Sequence, residues 1–295
     1  MTARLLEGKP LAKEIEREVT EEAAALRAEG ITPNLTVVLV GEDPASKVYV
    51  SSKEKACKRV GIDSTTLKLP ASLSQSDLLG LVGELNRNRA VHGILVQLPL
   101  PEAIDANAVL CAVNPAKDVD GFVPENMGKL LLGVPYTVAC TPAGIVRMLD
   151  YYEVPLDGSD VVIIGRSNIV GKPLAALLVQ KARGRNCTVT ICHSRTADIT
   201  GHTLKADIVV AALGSPAFLK ADMVRDGCSV VDVGMNRVED SSAKRGYRLV
   251  GDADFDALVD KAAFITPVPG GVGPLTVSML LKNTIKVARC CGCQE

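Results

Sequence analysis

Short, uninterrupted apolar runs rich in β-branched residues recur along this chain of 295 residues, and segments with helical periodicity lie between them. The runs occupy residues 35–40, 93–98, 161–165, 188–192, 208–213 and 230–234, each bounded by turn residues. Runs of this length without polar alternation suit strands buried on both faces. Segment 74–88 instead places Leu78, Leu81, Val82 and Leu85 at the spacing of a helix face. Alternating strands and helices pack as parallel sheets joined by right-handed crossovers, so the expected fold class is α/β.

The length is that of about two domains, each able to bury its own core. Pro10 opens a helical segment carrying Leu11, Ile15, Val19, Ala23 and Leu26, and Gly30 is placed to end it. No repeat or low-complexity linker divides the chain, so the boundary must fall inside structured segments. Two helices offer it, one begun at Pro142 and one running from Pro274 to about Arg289. Between them, 161–265 reads as a complete mononucleotide-type α/β unit. The expected organisation is an N-terminal α/β domain of residues 1–140 to which 274–295 returns, with a Rossmann-like domain, 141–273, inserted.

Lys and Arg number 33 against 34 Asp and Glu, which gives no electrostatic reason to expect a nucleic-acid or anionic-membrane partner. Small molecules and a second copy of the chain are the expected partners. Nine cysteines without a disulfide-scaffold pattern, and a start lacking the apolar core of a signal peptide, point to a reducing, cytoplasmic compartment. No apolar stretch reaches the length of a membrane span. The tail thiols Cys290, Cys291 and Cys293 have no second Cys/His cluster with which to complete a structural zinc site, so no metal is expected.

Two places carry chemistry. Tyr49 and Lys53 stand four residues apart, and on a helix they project an aromatic ring and an amine from one face. Any surface helix can carry such a pair, so the spacing alone is weak. The strand at 161–164 runs into Gly165, Arg166, Ser167, Asn168, Ile169, Val170 and Gly171, then into an apparent helix. Such a turn lets backbone approach a pyrophosphate and aims a helix N-terminus at its charge. Its spacing departs from the usual dinucleotide fingerprint, which leaves an ordinary strand-to-helix turn open. The next strand ends in His193, Ser194 and Arg195 where an NAD site commonly places a carboxylate. A hydroxyl and a guanidinium suit a 2′-phosphate, with Arg166 a further candidate, so NADP is favoured over NAD. Asp198 is expected to belong to the following turn.

Several segments together resemble the bifunctional methylenetetrahydrofolate dehydrogenase/methenyltetrahydrofolate cyclohydrolases. They are Tyr49-Val50-Ser51-Ser52-Lys53, Val96-Gln97-Leu98-Pro99-Leu100-Pro101, Lys117-Asp118-Val119-Asp120-Gly121-Phe122, Cys140-Thr141-Pro142, the Gly165 turn, and Pro267-Val268-Pro269-Gly270-Gly271-Val272-Gly273-Pro274. They fall in order along nearly the whole chain, and the last is the most specific.

The resemblance implies roles position by position. Lys53 corresponds to the catalytic lysine, Gln97 to the amide supporting it, and Tyr49 to the ring packing on the folate. Asp120 corresponds to the residue that hydrogen-bonds the pterin, and Leu98 is a further substrate-binding position. Pro269, Gly270, Gly271, Val272 and Gly273 correspond to a loop lining the folate pocket. Gly165, Arg166, Ser167, Val170, Gly171, Ser194, Arg195 and Met235 fall where NADP binds. The resemblance also implies a homodimer through the cofactor domains and a place in one-carbon metabolism and purine biosynthesis.

Those residue types fit the two reactions. Hydride transfer from the methylene bridge to a nicotinamide needs chiefly positioning. Hydrolysis of the methenyl compound to 10-formyltetrahydrofolate needs proton transfers, for which a lysine oriented by an amide is suited. A monofunctional dehydrogenase and a non-catalytic nucleotide sensor are the rival readings. The sensor has no use for an aligned Tyr49, Lys53, Gln97 and Asp120.

Overall fold

The computed structural model describes residues 2–242 and 246–292. It forms two units, one of residues 13–140 and 277–295, the other of residues 1–12 and 141–276.

The strands in chain order are β1 (Arg4–Leu5), β2 (Asn34–Val40), β3 (Asp63–Leu69), β4 (Gly93–Val96), β5 (Asp160–Ile164) and β6 (Thr188–Cys192). They continue with β7 (Ile208–Ala211), β8 (Ser229–Asp232), β9 (Asn236–Glu239), β10 (Tyr247–Val250) and β11 (Phe264–Ile265). The helices are α1 (Gly8–Ala28), α2 (Pro44–Val60), α3 (Gln75–Arg87), α4 (Ala106–Ala112) and α5 (Pro124–Leu131). After them come α6 (Cys140–Tyr151), α7 (Gly171–Leu178), α8 (Ile199–Thr203), α9 (Phe255–Leu258) and α10 (Gly273–Gly292).

In the first unit β2 lies between β3 and β4, parallel to both. Every residue of β2 after Asn34 is buried, as a strand covered on both faces requires. The side chains of Leu78, Val82 and Leu85 on α3 pack with Val38, Val40, Ile94 and Val96 of the sheet. Each such apolar side chain taken from water contributes roughly 1.5–3 kcal/mol. Ser74 caps α3 by accepting from the Asp77 N–H at 3.1 Å, which fixes where this packing helix begins.

The second unit holds a six-stranded sheet in the order β1-β11-β8-β7-β5-β6, parallel throughout. The antiparallel pair β9 and β10 stands apart from it. Here the structure corrects the expected boundaries. Residues 1–12 belong with the Rossmann-type unit, because β1 supplies an edge strand beside β11. Strands of two residues, β1 and β11, are too short to show a period in sequence. The polar strand β3 was likewise not expected, since its alternation reflects an exposed sheet edge. Four of the expected runs also end earlier than read, at Val96, Ile164, Ala211 and Asp232. The residues just beyond those ends are free to face a ligand.

Candidate active site

Helix α2 places the Tyr49 and Lys53 pair. Asp43 accepts from the Ser46 N–H at 2.7 Å, Pro44 occupies the first turn, and Gly61 ends the helix at φ 79°. Those three signals hold 49–53 in helical register, so both side chains leave the same face. Tyr49 is 48% exposed, a large ring surface to leave in water.

Gln97 follows the last residue of β4, its N–H still bonded to Val38 O at 2.9 Å. Its Nε2 donates to Leu98 O at 2.6 Å, and its Oε1 accepts from Lys53 Nζ at 3.0 Å. The two bonds define the amide's orientation, because only the NH₂ can serve the carbonyl and only the oxygen can receive the ammonium. Lys53 and Gln97, 44 residues apart, are thereby joined.

The segment carrying Asp120 runs beside β4 through a parallel bridge between Ile94 and Asp118. Asp118 is buried and accepts from the N–H of Gly121 and Val123, both at 2.9 Å, and from Asn126 Nδ2 at 3.0 Å. Gly121, at φ 72°, lies so close to Val138 and Ala139 that a Cβ would come within 2.5 Å of their backbone. The turn therefore needs glycine. Asn283 of α10 donates to Val119 O at 2.8 Å and Val138 O at 2.9 Å, tying the same two stretches together.

Asp120 is thus held in place through its neighbours. Burial raises its carboxyl to about 6, the nearby Lys53 ammonium opposes the rise, and Asp118 adds to it. The buried Cys140 thiol, which belongs to the same surroundings, is pushed well up, first by burial and then by Asp120. Sequence reasoning gave Cys140 no role, although the Cys-Thr-Pro run had marked its position.

In the other unit the turn after β5 is closely wound. Gly165 has φ 137°, and a Cβ there would stand 2.1 Å from Ala212 O. A Cβ on Gly171, the first residue of α7, would stand 2.0 Å from Gly165 O. Ser167 Oγ accepts from the Val170 N–H at 3.0 Å and closes the turn, leaving Arg166 and Ser167 exposed at its crest. Ser194 and Arg195 are exposed just beyond β6, the neighbour of β5. Asp198 caps α8 by accepting from the Gly201 N–H at 2.8 Å, so its carboxylate is spent on the following turn as expected.

Pro269, Gly270, Gly271, Val272 and Gly273 lead into α10. Gly8 donates to Gly270 O at 2.8 Å, and Gly270 has φ 119°. Met235 Cε would lie only 3.4 Å from a Cβ on Gly273, so Met235 and this loop are brought together. Among the described residues there is no cluster that could hold a metal ion, and Cys293 lies outside them. No described helix is long and apolar enough to cross a membrane.

The tetrahydrofolate dehydrogenase/cyclohydrolase catalytic domain matches residues 6–120, and the NAD(P)-binding domain of the same enzymes matches residues 139–291. The chain belongs to this family. It is 52% identical over 285 residues to the bifunctional protein FolD of Chlorobium chlorochromatii, covering 96% of this chain and 97% of that protein. Its fold matches the bifunctional FolD dehydrogenase/cyclohydrolase of Campylobacter jejuni with a TM-score of 0.92 and 45% identity, over 98% of this chain and 99% of that one. The FolD enzyme of Trypanosoma brucei, solved with NADP cofactor and an inhibitor, matches with a TM-score of 0.92 and 41% identity over 98% of each chain. Membership accounts for a dinucleotide-type turn and a lysine–amide–carboxylate group occurring in one chain.

Proposed function

We propose that this chain oxidises 5,10-methylenetetrahydrofolate to 5,10-methenyltetrahydrofolate with NADP and hydrolyses the product to 10-formyltetrahydrofolate. The observation that carries the reading is the Lys53 ammonium held by Gln97 Oε1 at 3.0 Å with the Asp120 carboxyl in its field. A folate requires both functions there, a proton carrier at the one-carbon bridge and an acceptor for the pterin's N–H groups. Lys53 moves protons during hydrolysis, Gln97 orients it, Tyr49 packs its ring on the folate, and Asp120 hydrogen-bonds the pterin. Leu98, Pro269, Gly270, Gly271, Val272 and Gly273 complete the folate contacts.

The cofactor fits the turn after β5. Glycine at 165 and 171 lets the turn wind closely against Ala212 O and onto its own backbone, which offers the N-terminus of α7 to a pyrophosphate's charge. Arg166, Ser167, Val170 and Gly171 surround it, and Met235 contacts the nicotinamide half. Ser194 and Arg195 take the 2′-phosphate, a preference supported by Asp198 being engaged as a helix cap. Bound NADP supplies a hydride acceptor, and the chain's task in that step is alignment.

A spectrophotometric assay with methylenetetrahydrofolate and NADP tests this, expecting NADPH and then the 10-formyl compound. Absence of NADPH would refute the oxidoreductase reading, and methenyl product that never opens would leave a dehydrogenase alone. Replacing NADP by NAD should lower activity, most of all in wild-type protein and least in Arg195→Ala.

We place the enzyme in the cytoplasm as a homodimer. Free cysteines at seven described positions suit a reducing compartment, and a tagged chain found outside the cytoplasm would disprove it. Ile191 exposed on the unpaired edge strand β6, with Val179 exposed beyond α7, supports pairing through the cofactor units. Sedimentation at the monomer mass would exclude that.

A further inference from the structure

The cofactor unit buries two aspartates, Asp232 and Asp252, that no cation among the described residues accompanies. Asp232, the last residue of β8, accepts from the N–H groups of Gly234 at 2.9 Å, Asp252 at 2.9 Å and Ala253 at 2.8 Å. Asp252 accepts from the N–H groups of Leu213 at 2.7 Å and Gly214 at 2.8 Å, and from Asn236 Nδ2 at 2.8 Å. A carboxylate taken from water is costly unless charge-assisted hydrogen bonds replace its hydration. The backbone pays that cost by closing tightly around the pair. A Cβ on Gly234 would stand 2.3 Å from Asp252 Oδ1, and one on Gly251 would stand 1.7 Å from Asp232 Oδ2.

The donors identify what is being held. Leu213 and Gly214 follow β7, and Gly234 and Asn236 follow β8, so both loops leave the carboxyl ends of adjacent strands. Ligands of open parallel sheets bind at such ends. Met235 lies between the two tethered residues, Gly234 through its N–H and Asn236 through its side chain. Its Cε lies 3.4 Å from where a Cβ on Gly273 would stand.

We infer that Asp232 and Asp252 are positioning residues for the dinucleotide site, fixing the loops at 213–214 and 233–236 so that Met235 meets the nicotinamide end of the cofactor. The inference rests on the cofactor reading proposed above and adds residues that touch neither substrate nor cofactor. It separates the two activities, because opening the methenyl ring consumes water and uses no NADP.

Asp252→Asn tests it, since an amide NH₂ would confront donors that now meet a carboxylate oxygen. NADPH binding followed by fluorescence should weaken at least tenfold, and amide exchange at 213–214 and 234–236 should quicken. Cyclohydrolase activity on methenyltetrahydrofolate, without NADP, should stay within about twofold. If both activities and the melting temperature fall in parallel, the pair is merely structural and the inference is overturned. Asn236→Ala removes a single donor at a half-buried position, and is expected to weaken NADPH binding about threefold even if Asp252→Asn does not fold; unchanged binding there overturns the inference too. A wild-type protein that binds no NADPH would refute the cofactor reading itself, whereas variants matching a binding wild type refute only the positioning role.

Discussion

Asp120 and Asp232, one in each unit, are both raised to about 6 with burial as the leading cause and a neighbouring aspartate adding to it, yet what opposes the rise differs. Three backbone N–H groups point at Asp232 and lower its carboxyl, while the neighbouring Asp252 raises it. Asp120 accepts no hydrogen bond among the described residues, and what opposes its rise is the charge of Lys53. A raised carboxyl therefore does not by itself mark a site. The carboxylate whose hydrogen-bond donors are all supplied by the fold is part of the scaffold, whereas the Asp120 oxygens accept from no described residue and feel the charge of a lysine held by Gln97.

The largest way to break this contrast is Lys53→Met. Proton transfer by a positioned side chain is worth about 10²–10⁴-fold, so cyclohydrolase activity should fall by that order while NADPH binding and the melting temperature stay near wild type. With the cation gone, Asp120 should also titrate higher, visible as an upward move of the acidic limb in the dehydrogenase pH profile. Retained hydrolysis would remove Lys53 from the mechanism.

A smaller change is expected from Asp120→Asn. Hydrogen bonds to a charged group contribute about 1.5–3 kcal/mol, so the folate KM should rise about 10–100-fold with the NADP KM unchanged. An unaltered folate KM would return Asp120 to the scaffold class with Asp232.

Smallest is the effect of pH on stability. Both carboxyls titrate higher in the folded chain than the ordinary 3.8, so their protonated forms favour folding. That contribution is complete below about pH 4 and is lost as pH rises through about 6. Between about pH 7.5 and 5.5 each group should restore about 1 kcal/mol, less for the partly exposed Asp120. Calorimetry should show the wild type gaining more on acidification than Asp120→Asn does. Equal slopes would mean that Asp120 stays hydrated.

Much of the site was legible because it lies next to strong local signals. Asp43, Pro44 and Gly61 announce α2, so the common face of Tyr49 and Lys53 followed from helical spacing. Gln97 and Gly165 lie in the last residues of apolar runs, which puts them at the carboxyl ends of strands even though those runs read one or two residues too long. Met235 next to Gly273, and Asn283 stapling Val119 to Val138, gave no such signal, since their partners lie far along the chain. Asp232, which fell inside the run 230–234, and Asp252 were passed over for the same reason, since donors to each come from tens of residues away.

From sequence alone came the α/β class, the helix bearing Lys53 and the glycine turn after β5, encoded over a few residues by period, caps and backbone freedom, and also the family, through the resemblance of segments spread along the chain. Only the tertiary structure decided that residues 1–12 complete the cofactor unit's sheet, that Gln97 presents its oxygen to Lys53, and which buried aspartates are already satisfied. The physical reason is that hydrogen-bond satisfaction and desolvation belong to groups brought together across tens of residues, and no local pattern records which donors will arrive.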